Sequence, residues 1–307
     1  MIHPETDFDM TAFVELGLAD RSVHDYDAND PFVSRLGGVP AWLTECVDIA
    51  CPVCSSKMFL LVQFDCPTDD GTEDRVLYLF GCNTKDCVLK DPQRAFKAVV
   101  QKRQARAVVE EKSANFWEAP VATVSLSSSD TSSRVEKFED CKTVLSANSF
   151  PVVVLKIVEE LIRVKRKKDA EVTAMTDAPE DAEEDDEPVV PEDEVMEEFM
   201  ERVSHYPRQC VRYSPSGKIL HFSQAHADAF EKHACSVCSG KNLSFLAQLM
   251  PAFLSLIQVD DFIGHIPKEQ RGKHAPFGDG LEFATVMVLI CGDCENANVW
   301  VELEDYQ

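Results

Sequence analysis

The sequence predicts a mainly β (α+β) protein of two related modules joined through an acidic disordered linker, and three observations carry that expectation. A cysteine phrase is written twice, CPVCSSK from Cys51 and CSVCSGK from Cys235. Each copy runs into an apolar stretch of strand length that ends near a glutamine, Gln63 in the first and Gln248 in the second. Between the copies, Asp177 to Glu201 holds fourteen acidic residues and no basic one, a block that repels itself and has too few apolar residues to join a core. The distance from first cysteine to glutamine differs by one residue between the copies, which calls for a bulge or a looser turn in one of them.

Composition bounds what the modules can be. A chain of 307 residues with 45% hydrophobic content has material for one large core or two ordinary ones. No apolar run approaches the eighteen or so residues of a membrane span. The start, MIHPETDFDM, is acidic where a secretory signal would be basic and then apolar. A reducing compartment is therefore expected, the cytoplasm with the nucleus beside it, and twelve cysteines there point to thiols and metal rather than disulfides. A formal net charge of -24 opposes nucleic acid as a partner of the whole surface and suits a basic client, although much of that charge sits in the acidic tract.

The amino-terminal module is drawn at residues 1–165. FVELGLAD supplies an opening strand, and Gly37-Gly38 before Pro40 reads as a tight turn with access to positive φ. Trp42 behind that turn reads as a core or module-edge anchor, with an exposed binding residue as the alternative. KMFLLVQFDCP and RVLYLFGC, separated by the polar PTDDGTED, form a hairpin pattern. AFKAVVQKRQARAVVEEK has the composition of a helix. A Ser-rich loop follows, and FPVVVLKIVEE reads as one buried strand.

The linker is drawn at 166–198, with the basic RVKRKK of Arg163 to Lys168 at its edge as a solvated flank, or as a nuclear import signal or RNA contact. The carboxy-terminal module, 199–307, offers a hairpin turn at Ser214 to Gly217 in CVRYSPSGKIL. The second cysteine phrase comes next, then FLAQLMPAFLSLIQV interrupted by Pro251, a strand in LEFATVMVLICGDC and a last strand in VWVELEDY.

Cysteines two residues apart place two thiolates on one tight turn, and two such pairs close a tetrahedron around zinc. The carboxy-terminal set is Cys235, Cys238, Cys291 and Cys294. The amino-terminal set is Cys51, Cys54, Cys82 and Cys87, its second pair four residues apart but again placed after an apolar strand. Two structural zinc ions are expected, since four thiolates leave no coordination position for a reacting water. Cys46, Cys66, Cys141 and Cys210 are left over and read as buried small hydrophobes. The chain has no Gly-rich phosphate loop, no His-Glu-x-x-His helix and no Gly-x-Ser-x-Gly elbow, so a non-enzymatic role is expected.

The ordered markers LGGVPAWL at Leu36 to Leu43, the Cys51 and Cys54 pair, LFGCNTKDC at Leu79 to Cys87, FPVVVLKIVEE at Phe150 to Glu160, CVRYSPSGKIL at Cys210 to Leu220, QLMP at Gln248 to Pro251, and the final cysteine pair resemble the programmed cell death protein 2 family. The longer animal members insert a zinc module of the MYND class between the halves. Val88 to Asp193 here holds only Cys141, so the form resembles the MYND-less and fungal branch implicated in ribosomal RNA processing. After Cys87 the family shows an Arg-x-x-Arg-x-Gln phrase with an aromatic, of which RAFKAVVQKRQ is a loose version, and the resemblance implies an extended edge for the first half of AFKAVVQKRQARAVVEEK. The resemblance implies a dedicated chaperone for small-subunit ribosomal protein S2, related to bacterial S5, that supports 40S assembly and pre-rRNA maturation. Direct RNA binding and membrane association are not expected. Trp42, Phe80 and Met250 are candidate apolar walls for an extended client segment, with Gln63 and Gln248 as candidate client contacts. A zinc-knuckle RNA-processing factor and a nuclear scaffold in growth or death regulation are the competing readings.

Overall fold

The computed structural model of the chain describes residues 14–68, 71–104, 149–160, 193–215, 217–262 and 280–304. The order of elements is β1 (Glu15–Asp20), β2 (Arg35–Leu36), β3 (Phe59–Asp65), β4 (Glu73–Gly81), α1 (Lys85–Lys90), α2 (Pro92–Ala95), β5 (Phe96–Gln104), β6 (Val153–Glu159), α3 (Glu194–His205), β7 (Gln209–Tyr213), α4 (Gln224–Phe230), β8 (Leu243–Leu249), α5 (Ala252–Ile257), a short 3-10 turn (Val259–Phe262), β9 (Thr285–Cys291) and β10 (Ala297–Glu302). The mixed, strand-dominated architecture with two cysteine clusters is the one the sequence predicts.

The halves are not beads. One ten-stranded sheet runs β10-β9-β8-β7-β1-β6-β2-β3-β4-β5. β2 to β5 form one run of neighbours and β7 to β10 the other, and the strand that precedes each run in sequence pairs with the opposite half. β1 lies antiparallel on β7, with Leu16 opposite Arg212, and β6 lies antiparallel on β2, with Val154 opposite Arg35. β1 and β6 then pair with each other across the centre, from Glu15 opposite Glu159 to Asp20 opposite Val154. Each half thus lends the other its leading strand, and a single core cluster reaches from Leu36 and Trp42 to Val286 and Val301.

The duplication extends to details. Both β3 and β8 carry a register shift, between Leu60 and Val62 and between Phe245 and Ala247. The sequence expectation of a bulge or a looser turn in one copy is met by the second alternative, because both strands bulge alike and the extra residue of the second copy lies elsewhere. It is absorbed between knuckle and strand, where the Leu243 amide bonds the Lys241 carbonyl at 2.9 Å. Gln63 lies beside Arg35 of β2, as Gln248 lies beside Arg212 of β7.

Several local expectations change. The AFKAVVQKRQ stretch is the extended edge that the family resemblance implies, from Phe96 to Gln104, and not the helix of its composition: its Ala, Lys and Gln favour a helix weakly, and a nine-residue ladder with the buried β4 outweighs that preference. FPVVVLKIVEE does form a strand, but Lys156, Ile157 and Glu159 are exposed on it, so it is only partly buried. The turn at Ser214 is present, with the Gly217 amide on the Ser214 carbonyl at 2.9 Å, yet among the described residues no return strand follows and β7 pairs with β1 and β8 instead. Helix α3 begins at Glu194, inside the segment assigned to the linker, because Asp193 caps it by accepting from the Val195 and Met196 amides at 3.1 and 3.0 Å. The rest of that linker, the Ser-rich loop, RVKRKK and Cys141 lie outside the described residues.

Candidate metal centres

In the carboxy-terminal centre both cysteine pairs sit on the same device. After Cys235 the Ser239 amide bonds the Cys235 carbonyl at 2.9 Å while Ser239 takes a φ of 60°, and after Cys291 the Glu295 amide bonds the Cys291 carbonyl at 2.8 Å with Glu295 at 57°. The first turn folds two backbone amides toward sulfur: Val237 N lies 3.4 Å from Cys235 Sγ and Gly240 N lies 3.4 Å from Cys238 Sγ. Two asparagines add side-chain donors, Asn298 to Cys235 Sγ at 3.4 Å and Asn296 to Cys294 Sγ at 3.3 Å. Hydrogen bonds from the Cys238 and Val237 amides favour the anion and pull the Cys235 thiol down to about 6.

The amino-terminal centre repeats only the first device. Ser55 takes a φ of 62°, its amide on the Cys51 carbonyl at 2.7 Å, and Val53 N lies 3.4 Å from Cys51 Sγ. The second pair is built differently. Cys82 directly follows β4, Thr84 takes the N-cap position of α1 without a side-chain cap bond, and Cys87 projects from the first turn of that helix, its amide on the Thr84 carbonyl at 3.0 Å. Burial raises the Cys54 thiol, but hydrogen bonds from Ser56 outweigh it and bring it to about 7, while burial pushes Cys87 up to about 11.

Both quartets fit structural zinc. All four sulfurs of each lie within 4.8 Å of one another. Zn–S bonds of about 2.3 Å in a tetrahedron require sulfurs about 3.8 Å apart. The separations are 3.7 Å for Cys54 and Cys82, and 3.6 Å both for Cys235 and Cys294 and for Cys238 and Cys291. With four thiolates, the metal's chemistry is structural: its binding free energy becomes folding free energy.

The five candidate client residues are not at a surface. Trp42 is 5% exposed, tilted against Tyr78 at 4.7 Å and stacked on Phe80 at 5.8 Å, so the anchor reading of Trp42 is the right one. Phe80 and Met250 are fully buried. Gln63 accepts from the Ala41 amide at 2.8 Å and donates toward the carbonyls of Asp30, Pro31 and Val33, pinning the chain before β2. Gln248 donates to Leu220 O and Thr285 Oγ1, each at 2.7 Å. These residues hold the fold, and the client-contact reading of them is corrected on that ground. Cys66 and Cys210 are buried thiols pushed up to about 12 by burial, as small hydrophobes should be, whereas Cys46 is disulfide-bonded, contrary to the thiol expectation.

Sequence reasoning missed the groups that join the halves. Arg212 and Glu160 form a buried pair at 2.8 and 2.9 Å, and Asn83 reaches Val259 O at 2.8 Å. Asn83 stands inside the widened cysteine spacing, and that spacing was the available signal.

Comparison with known proteins agrees with this duplicated arrangement. Residues 13–114 match the family model described as Programmed cell death protein 2, N-terminal domain, and residues 193–306 match Programmed cell death protein 2, C-terminal putative domain. The chain is 25% identical over 357 aligned residues to Programmed cell death protein 2-like of Homo sapiens, covering 95% of this chain and 94% of that protein. It is 31% identical over 109 residues to Programmed cell death protein 2-like of Mus musculus, covering 35% and 26%, and 32% identical over 80 residues to Programmed cell death protein 2 of Bos taurus, covering 24% and 23%. No solved structure matches the chain.

Proposed function

The chain belongs to the programmed cell death protein 2 family, and from that premise we propose that it is a non-enzymatic, dedicated chaperone for small-subunit ribosomal protein S2, acting in 40S biogenesis and pre-rRNA maturation. We place it in the form without the MYND module, because Cys141 is the only cysteine between Val88 and Asp193. The observation that carries the reading is the presence of both family domains, in order, each with a complete four-cysteine site. Two features support it. Four-thiolate sites provide rigidity rather than a reacting position. A net charge of -24 suits an escort for a basic, aggregation-prone client. No helix among the described residues is long and apolar enough to cross a membrane. We assign the protein to the cytoplasm, where S2 is made, with passage to the nucleus.

The test mixes the purified full-length chain with nuclease-treated S2 and, separately, with small-subunit ribosomal RNA at physiological salt. The chaperone reading expects a stoichiometric complex with S2 that survives without RNA, and a higher soluble yield of S2 on co-expression. Tight RNA binding without S2 binding would replace it by the zinc-knuckle RNA reading.

A further inference from the structure

The two cysteine centres differ in the spacing of their second pair, and the extra residues of the amino-terminal one face the opposite half. Asn83, almost fully buried, donates to the Val259 carbonyl at 2.8 Å and accepts from the Leu281 amide at 2.9 Å. Lys85 pairs with Glu282 at 2.6 Å. Gly81, the residue before Cys82, lies so close to Leu281 that an added Cβ would approach Leu281 Cδ1 to 3.3 Å. Beyond Cys87, α1 and α2 carry the chain to Gln93. Its carboxamide accepts from the Val301 amide at 3.0 Å and donates to the Val301 carbonyl at 3.2 Å. Those are the two bonds that a peptide group of a neighbouring strand would make.

These contacts lie where the sheet ends. Among the described residues β5 and β10 are its two edge strands; they run beside each other with Lys102 paired to Glu295 at 3.2 Å, and no ladder joins them. The Cys291 amide bonds Asn296 O, so Asn296, Asn298, Trp300 and Glu302 address β9 by alternation, and Val299 and Val301 turn their peptide groups to the open edge. An open edge is a template for strand addition, and Gln93 occupies it at Val301. The carboxy-terminal quartet has no such reach, its Cys291–Cys294 turn being spent on closing the β9–β10 hairpin.

We propose that the amino-terminal quartet is a metal-dependent clasp: ligation of Cys82 and Cys87 fixes the Asn83–Lys85 loop and the α1–α2 arm against the opposite half, and so keeps the seam between β5 and β10 shut to an added strand. This goes beyond the chaperone reading and does not depend on which client the protein serves. The Val301 amide bonds Gln93, not Cys87 or Asn83, so its protection reports the clasp rather than a deleted hydrogen bond.

The experiment uses the full-length chain, with zinc counted by native mass spectrometry and amide exchange read at residue resolution. Cys87→Ser, retaining one zinc, is expected to lose at least tenfold protection at Val301 while the amides of β3 and β4 and of Ser239 and Glu295 keep theirs. Asn83→Ala with Lys85→Ala, retaining two zincs, is expected to lose protection at Val301 as well. Full protection of Val301 in a one-zinc Cys87→Ser protein overturns the clasp. Should Cys87→Ser instead lose protection throughout β3 and β4, the double variant decides: loss at Val301 alone supports the clasp, and retention overturns it.

Discussion

Arg35 and Arg212 occupy matching places in the two halves, each beside the glutamine that follows a bulge, yet they live in different electrostatic worlds. Arg212 is held by both oxygens of the buried Glu160 and by Gln209. Arg35 is likewise buried, but only its Nη2 is engaged, by Val39 O at 2.7 Å and Gln63 Oε1 at 3.3 Å, while Nε and Nη1 have no hydrogen-bond partner among the described residues. Burial accordingly pushes the Arg35 guanidinium below its ordinary pKa. The glutamines compensate in the opposite sense. Gln63 is saturated by backbone groups, and Gln248 leaves Oε1 unpartnered. A duplicated scaffold therefore keeps its geometry while each half satisfies its buried polar groups from different neighbours. In the second half the carboxylate on Arg212 comes from the first, since Glu160 follows β6.

The exchanged strands set the largest expected effect. Residues 193–307 expressed alone lack β1, which leaves the inner edge of β7 unpaired; that fragment should be insoluble or unfolded although it carries a complete cysteine quartet. Conversely, a protease site placed between residues 166 and 191 should, once cut, leave the two pieces co-eluting in size-exclusion chromatography. A soluble, zinc-loaded, cooperatively melting 193–307 fragment would break the comparison at its root.

Next in size is the buried pair. Glu160→Leu strands the Arg212 guanidinium and should cost about 3–5 kcal/mol in denaturant unfolding. Arg35→Met removes a cation that Asp30 and Asp27 act on only from beyond ion-pair distance, and should cost clearly less, even though it loses the bond to Val39. Equal costs would mean that Asp30 and Asp27 hold Arg35 as firmly from a distance as Glu160 holds Arg212 in contact. Smaller again is the glutamine contrast: Gln63→Leu leaves an amide and several carbonyls without their partner and should cost about 2–3 kcal/mol, against about 1–2 kcal/mol for Gln248→Leu, measured by the shift in urea midpoint at constant slope.

The smallest effect concerns position 65. By alignment of the bulges and glutamines, Asp65 stands where the other half has the fully buried Met250. Burial, with Asp74, Asp30 and Glu15 nearby, raises the Asp65 carboxyl from 3.8 to about 6. The folded state then holds that proton more tightly than the unfolded one, so stability contributed by the protonated form is present at low pH and lost as pH rises through about 6. Asp65→Asn should raise the melting temperature at about pH 7.5, with the gain shrinking below about pH 5. A gain of equal size at both values would show that Asp65 is not the titrating group.

Much of this architecture was legible in the residues themselves. The repeated Cys-x-Val-Cys-Ser-x-Lys phrase, the apolar runs of β3, β4, β8 and β9 and the paired quartets are local: a knuckle needs only its own few residues, and a strand buried on both faces must be apolar along its length. The Gly37-Gly38 turn, with φ of 63° and 74°, belongs to the same class. Partnership was not legible. Strand pairing is a long-range choice among edges of similar composition, so nothing in ELGLAD or VVLKIVE announces that each serves the other half. For the same reason Trp42 and the two glutamines could be ranked as anchors or contacts but not assigned, and a helix-forming composition at Phe96 to Gln104 yielded to the ladder offered by β4. Residue chemistry fixed where metal sits and which segments extend; only tertiary packing decided which edges meet, because the free energy of a ladder depends on the partner strand and not on the strand alone.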